Sequence, residues 1–281
     1  MKIEIKTFSL EHVLENDRIL FNVNNLYEKQ PADYWDRFYT EDWAHLFHNN
    51  KYHTITLTEK DLEWMKEANK VNMLTNRFSE IYNDDLETTC KKYENEMNRI
   101  LKYGDKWFIR TEDYSLKYAL HGVGPYNSLK KILQSVTTYA TGHSCIKDTD
   151  KTKTIYFFPW IDMDWDKEFR VFVYNNKITA ISQQHLYSVN KWLLNKTDDE
   201  IKDIVVKIVK YFNSNISDKL GFIKDYVMDL SLIEEDETPY FIEPNKFGKE
   251  YGSGSSLFHW ETDHDDLHES NTIQFRFVNK D

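Results

Sequence analysis

The sequence predicts an α+β chain, with an antiparallel sheet packed against helices, on three observations. First, residues 168–174 and 177–184 are two apolar-rich runs separated by Asn175-Asn176, a pair suited to the tight turn of a hairpin. Second, residues 221–245 hold another pair of runs. One passes through Phe222, Tyr226 and Met228 to Asp229; after an acidic turn at 234–237 and Pro239, Tyr240-Phe241-Ile242 leads into Glu243-Pro244-Asn245. Third, the segment between these hairpins has helical spacing. Thr197 and Glu200 form a capping box, and Ile201, Ile204, Val205, Ile208, Val209 and Phe212 make one stripe of a helix reaching about residue 213.

The remaining elements follow in order. MKIEIKTFSL alternates apolar and polar like a strand. Residues 31–50 are rich in aromatics, among them Tyr34, Trp35, Phe38, Tyr39, Trp43 and Phe47. Thr58, with Asp61 three residues on, starts a helix over 58–70. Residues 87–102 read as one charged helix whose Lys91, Lys92, Arg99 and Lys102 form a solvated face. Trp107-Phe108-Ile109 is a short buried strand ending on Arg110, followed by the polar loop TEDYSLKYALHGVGPYN. Ser128 opens a helix carrying Leu129, Ile132, Leu133, Val136 and Tyr139, stopped near Gly142, and 154–160 is a further strand.

Composition bounds the function. A chain of 281 residues with 40% hydrophobic and 30% charged residues has room for a sizeable core. The formal charge, 36 − 47 = −11, argues against a broad footprint for duplex nucleic acid but leaves room for a local basic groove. Two cysteines, Cys90 and Cys145, make no disulfide framework and no CxxC metal spacing, as expected of a reducing compartment. The N-terminus has no apolar core of signal-peptide length and no run approaches a membrane span, so a cytoplasmic location is expected.

The second hairpin carries the chemistry. Residues two apart on a strand share a face, so Asp229 on one strand and Glu243 and Asn245 on the next can form a hard-oxygen cage of the kind Mg²⁺ shares with phosphates. The alternative is a hairpin whose acids face water. Arg110 at a strand end and Lys117 in the loop beyond it can neutralise phosphate oxygens, which together with the cage suggests a Mg-triphosphate site. Neither GxxxxGK[ST] nor GxGxxG occurs, which excludes P-loop, Rossmann and standard kinase sites. Glu168 and Arg170 share a strand face. Glu168 there either orients Arg170 or contacts a sugar hydroxyl; the alternative is a plain cross-strand ion pair.

These stretches resemble the cell division cycle protein 123 family of ATP-grasp proteins. The resemblance is carried by IYFFPWIDMDWDKEFRVFVYNNKITAISQ, DYVMDLSL and YFIEPNKFG…SGSSLFHW, with FIRTEDYSLK upstream, over roughly the last 175 residues. It implies an ATP-grasp fold of two α+β subdomains with antiparallel sheets clasping ATP, a small subdomain over 105–153 and a metal-bearing subdomain over 154–281; the mixed, mostly helical region over 1–104 that precedes them does not match the family and stays unassigned. It implies that Arg110, Lys117 and Arg170 contact phosphates, that the segment ending at Trp160 lines the adenine side, and that Asp229, Glu243 and Asn245 hold Mg²⁺. Two departures stand out. Phe158 replaces a basic residue that relatives often carry two before the Trp, and Glu243 replaces the family's usual Asp, as in active ATP-grasp ligases. Eukaryotic members are ATP-binding assembly chaperones for translation initiation factor 2, and other relatives have been proposed to seal RNA ends. The resemblance therefore leads to an ATP-dependent ligase acting on RNA ends, with the chaperone as the rival. Lys91, Lys92, Arg99, Lys102, Lys106, Lys130 and Lys131 offer a local basic patch for RNA, or are solvated helix faces.

Other constellations carry less. Asp162-x-Asp164-x-Asp166 opens like a calcium loop but has Lys167 and Val173 where Gly and Glu are needed, so it reads as a polar turn. His259, His264 and His268 among Asp263, Asp265 and Asp266 are too loosely spaced for a transition-metal site and read as a solvated acidic tail. His45, His48 and His53 read as surface or satisfied core residues, and the turn Ser253, Gly254, Ser255, Ser256 as a loop-shaping segment.

Overall fold

Period-two alternation at the N-terminus becomes β1 (Lys2–Ser9), and Ser9 then caps α1 (Leu10–Leu20) by accepting the His12 N–H. The computed structural model describes residues 1–21, 37–48, 51–75, 77–139, 145–249, 254–268 and 270–280. The elements that follow are α2 (Thr40–His48), β2 (His53–Leu57), α3 (Glu59–Thr75), α4 (Asn83–Lys92), α5 (Glu94–Leu101), β3 (Trp107–Arg110), α6 (Leu129–Thr138) and β4 (Lys153–Pro159). After them come β5 (Glu168–Tyr174), β6 (Lys177–Gln183), α7 (Asp198–Asn215), β7 (Tyr226–Ile233), β8 (Thr238–Lys246), α8 (His264–His268) and β9 (Thr272–Lys280). Both expected hairpins form. Asn175 and Asn176 take φ of 49° and 57° in the first turn, and Glu234 and Glu237 take 63° and 57° in the second. The Thr197–Glu200 capping box forms in both directions. The chain is α+β.

Contacts divide the chain into two units, Met1–Phe38 with Asp162–Asp281, and Tyr39–Ile161. The divisions thus fall at 38/39 and 161/162 rather than at 104 and 153. The reason is long-range pairing: β1 runs parallel to β9, Lys2 opposite Thr272 through Phe8 opposite Val278, so the first strand closes the edge of the sheet that the last strand enters. The region before 104 is mostly helical, with α1 to α5 alongside β1 and β2.

The second unit is built on an antiparallel sheet ordered β2-β4-β3. Its core joins Ile55 and Leu57 of β2, Leu62 and Met65 of α3, Ile132 and Leu133 of α6, and Phe157 of β4. The single helix expected over 87–102 is two helices, starting at Asn83 and broken at Tyr93 (φ −102°, ψ 14°). The break is anchored by the Tyr93 side chain, buried, with its hydroxyl donating to the Asp61 carboxylate at 2.7 Å and the Thr56 carbonyl at 3.1 Å. Asp61 also accepts from the Thr58 N–H and from Lys92 Nζ. Helix α6 ends at Thr138; its expected stop near Gly142 lies outside the described residues, as do Tyr34, Trp35 and Ser253. Cys90 and Cys145 are both free, and burial pushes their thiols up to about 11 and about 12, away from reactive thiolate character. No described helix is long and apolar enough to cross a membrane.

The first unit is a six-stranded sheet ordered β1-β9-β6-β5-β7-β8, antiparallel from β6 to β8 and parallel where β9 meets β6 and β1. Directly opposed residues share a face. The register therefore lays one row across all six strands: Lys6, Arg276, Ser182, Arg170, Asp229 and Glu243. The segment 254–268 covers part of this face, burying Phe258, Trp260 and Leu267 against Phe172, Ala180 and Val227. Arg276 fixes it there. Only 2% exposed, it donates to Asp263 at 2.7 and 2.8 Å, to Asp266 at 3.2 Å and to the Leu257 carbonyl at 3.1 Å, and its guanidinium lies 3.8 Å from the Phe258 ring centre.

Two outcomes are expected. Arg276→Met leaves Asp263 without its buried cation and should lower unfolding free energy by about 3–5 kcal/mol in urea titration; a loss under about 1 kcal/mol would show the contact to be incidental. Asp61 gives a pH signature. Burial raises its pKa, but hydrogen bonds from Lys92, Thr58 and Tyr93 outweigh that and hold it at about 2. A depressed carboxylate stabilises the fold above its unfolded value of about 4 and loses that contribution as pH falls toward 2. Relative to Asp61→Asn, the native chain should therefore show an added stability loss between about pH 4 and pH 2; parallel pH profiles would contradict the assignment.

Candidate functional site

The polar row reaches its densest point at β5, β7 and β8. Arg170 and Asp229 are opposed residues, so their side chains meet without spanning a gap. Arg170 Nε donates to Asp229 Oδ1 at 2.9 Å and Nη2 to Oδ2 at 2.8 Å, a bidentate pair, while Nη1 donates to the Gly254 carbonyl at 2.6 Å. Asp229 is 4% exposed. Glu243 stands opposite Asp229 on β8, and Asn245, two residues on, shares its face, with Nδ2 3.5 Å from Asp229 Oδ2. A bulge after Asp229 shifts β8 by one residue, so that Leu230 faces Phe241 and the apolar side of β7 stays apolar. Asp229, Glu243 and Asn245 thus lie together on one face, with Arg170 added.

The surroundings suit a cation. Asp229 and Glu243 place two carboxylates beside the Arg170 guanidinium. Asp229 Oδ2 is filled by Arg170 and by Gln184 Nε2 at 3.3 Å, but Oδ1 takes one bond and keeps a lone pair. A half-turn of the Asn245 amide would present its oxygen beside the two carboxylates. Three buried oxygens nearby have no hydrogen-bond partner: Gln184 Oε1, Ser231 Oγ two residues past Asp229 on the same face, and Ser255 Oγ next to the carbonyl that holds Arg170. Such orphaned acceptors are rare in folded chains and mark places where a ligand or ion completes the set. The hard oxygen donors fit Mg²⁺ shared with phosphates. Among the described residues no group of three or more His, Cys, Asp or Glu converges, whether among the 259–268 histidines or at Asp229 and Glu243.

Glu168 opposes Ser231, and its carboxylate lies 3.2 Å from His185 Nε2, whose ring stacks on the exposed Trp165 at 4.6 Å. Arg170 is held instead by Asp229, so the orienting role expected of Glu168 belongs to Asp229. In the turn before β5, Asp164 accepts the Asp166 N–H and Asp166 accepts the Lys191 backbone N–H, the polar turn expected of that triplet.

Arg110, Lys117 and Trp160 belong to the other unit. Arg110 is 5% exposed beneath α2, its Nε 3.4 Å from Thr40 Oγ1 and its guanidinium 5.2 Å from the Trp43 ring centre. His48 of the same helix is lowered to about 4, by burial first and then by the Arg110 charge, so it is neutral at pH 7. Phe158, in place of the expected basic residue, stacks between Trp43, His48 and Tyr52. Lys117 is exposed and lies over Tyr118. Trp160 is half-buried, its backbone N–H donating to the Lys106 carbonyl at 3.1 Å. Of the expected basic patch, Lys130 pairs with Glu87 and Arg99 with Glu96, as solvated helix faces do, while Lys92 pairs with the buried Asp61. Sequence reasoning missed Gln184, Ser231 and Ser255. Ser231 was reachable from alternation two residues past Asp229; nothing local singles out the other two.

The comparisons with known proteins agree with this architecture. Two solved structures are similar in fold. Cdc123 from Schizosaccharomyces pombe superposes with a TM-score of 0.56 at 14% identity, covering 92% of this chain and 100% of that one. A C-terminally truncated form of the same protein gives 0.56 at 13%, covering 98% and 100%. No curated protein sequence matches. Residues 130–281, more than half of the chain, match the sequence profile of the D123 family; Arg110 and Lys117 lie upstream of that match. The chain belongs to the D123, or cell division cycle protein 123, family.

Proposed function

We propose that this chain is a Mg-ATP-binding ATP-grasp ligase that acts on RNA ends in the cytoplasm. The observation that carries the nucleotide part is the opposed carboxylate pair Asp229–Glu243 with Asn245 on the same face, together with partnerless buried oxygens on Gln184, which donates to Asp229, and on Ser231, two residues along β7. Asp229, Glu243 and Asn245 would hold Mg²⁺, which when bound neutralises charge on phosphate oxygens. Arg170, pre-oriented by Asp229 and the Gly254 carbonyl, presents a fixed guanidinium for a phosphoryl group at no cost of ordering during reaction. Lys117 is exposed and can add a mobile ammonium; Arg110 contributes only if α2 withdraws from it. Glu168 with His185, beside the exposed Trp165, supplies a sugar-hydroxyl acceptor and a flat face, and Trp160 the adenine side.

One observation favours a second reading, ATP as a structural clamp in an assembly chaperone for translation initiation factor 2. Burial of Arg110 and substitution by Phe158 withdraw two cations that turnover would use.

The test is incubation of the purified chain with Mg²⁺, labelled ATP and 5′-phosphorylated RNA, following both nucleotide and RNA. Joined RNA with AMP release supports the ligase; tight ATP binding without turnover supports the clamp; no ATP binding overturns both. Glu243→Gln keeps the shape and removes a charge. It should weaken Mg-dependent ATP binding about tenfold or more by calorimetry, while leaving metal-free stability within about 1 kcal/mol.

A further inference from the structure

A groove of about 920 Å³ opens at one end of the β7–β8 pair, within the first unit. This is the size of a site for a nucleotide-scale ligand. Its walls leave the strands that carry the candidate metal residues: 222–225 enters β7 and 246–249 leaves β8, where Tyr226 and Lys246 stand opposed. Lys246 follows Asn245 directly. At about 3.3 Å per residue, the groove mouth begins about 10 Å along β8 from Glu243.

The lining is basic in an acidic chain. Arg37, Lys224, Lys246 and Lys249 face the groove against Asp225 and Glu261, while the whole chain carries −11. Both acids are engaged, Glu261 by Lys249 and Asp225 Oδ1 by the Asn175 N–H at 2.7 Å. Arg37 braces the wall by donating to the Phe222 carbonyl at 2.7 Å, and the Lys246 ammonium lies over Phe38. Lys224 is exposed at the rim and makes no ion pair among the described residues. Flat faces accompany the cations. Phe222 is 39% exposed on the rim, Phe247 and Trp260 meet edge to face at 5.0 Å in the floor, and the His264 and His268 rings stack at 3.8 Å.

We infer that this groove binds the single-stranded end of an oligonucleotide, its phosphates at the Arg37–Lys224–Lys246 rim and a base against Phe222. This rests on the proposed reaction, for which the groove supplies the acceptor site. Cations alone would serve any polyanion, and an acidic peptide would leave the rings idle. Basic rims interleaved with exposed rings are how sequence-tolerant single-strand sites are built, with stacking added to phosphate neutralisation.

The test uses the full chain, a dye-labelled 5′-phosphorylated RNA ten-mer and fluorescence anisotropy, with inorganic polyphosphate and an oligoglutamate peptide as competitors. Lys224→Glu should weaken RNA binding about tenfold and flatten its salt dependence. Phe222→Ala should weaken RNA binding about fivefold or more while leaving polyphosphate binding unchanged. Unchanged RNA affinity in both variants overturns the inference. So does oligoglutamate competing as well as unlabelled RNA. Mg-ATP calorimetry on the same proteins separates the two proposals, because neither variant touches the metal residues. ATP binding without RNA binding by the native chain sinks the groove and spares the nucleotide site. RNA binding without ATP binding does the reverse.

Discussion

The bidentate pair between Arg170 and Asp229 is the constraint around which the first unit is arranged. Both side chains are largely buried, 11% and 6% exposed, with apolar Phe172 and Val227 beside them on one side of the face and polar Glu168 and Ser231 on the other. Buried charges of this kind persist only when each satisfies the other, and removing one partner typically costs several kcal/mol. The pair is possible because β5 and β7 are hydrogen-bonded neighbours in a register that sets Arg170 against Asp229. The bulge after Asp229 then lets β8 bring Glu243 opposite without turning the apolar residues of β7 outward. The same row continues to Arg276, whose contacts with Asp263 and Asp266 hold the covering segment and leave the Gly254 carbonyl within reach of Arg170. One line of cross-strand neighbours therefore links sheet stability, the cover and the candidate metal site.

Much of this arrangement was legible in the sequence because it depends on local periodicity. Period two with an Asn-Asn turn specified β5 and β6; the acidic turn specified β7 and β8; the Thr197–Glu200 box and its apolar stripe specified α7. The pleat alone put Glu243 and Asn245 on a common face, but that face is shared with Asp229 only because of the bulge after Asp229, which no local pattern signals. What was not legible depends on partners far apart in the chain. The parallel pairing of β1 with β9 joins residue 2 to residue 272, and no local signal encodes it. The break at Tyr93 comes from a hydroxyl reaching Asp61 and Thr56, where helix propensity alone favours continuing. The burial of Arg110 under α2 was hidden for the same reason, since the residues that cover it lie about seventy positions upstream.

Functionally, the two units differ in how ready their expected phosphate contacts are. In the first, Arg170 is already aimed by two independent acceptors, and Gln184, which donates to Asp229, keeps a buried oxygen without a partner. In the second, Arg110 is packed over Trp43, and Phe158 has joined the aromatic stack of His48 and Tyr52. Family membership and fold likeness place the chain among D123 proteins without deciding between catalysis and clamping. Within the first unit the carboxylate pair stands about 10 Å along a strand from a basic and aromatic groove.

The most direct measurement is an anomalous diffraction map of crystals grown with Mn²⁺ and a non-hydrolysable ATP analogue. The account predicts a manganese peak about 2 Å from carboxylate oxygens of Asp229 and Glu243, with the Asn245 amide oxygen turned toward it. A peak at the Asp162–Asp166 turn or among Asp263, Asp265 and Asp266, with Asp229 still closed on Arg170, would contradict it.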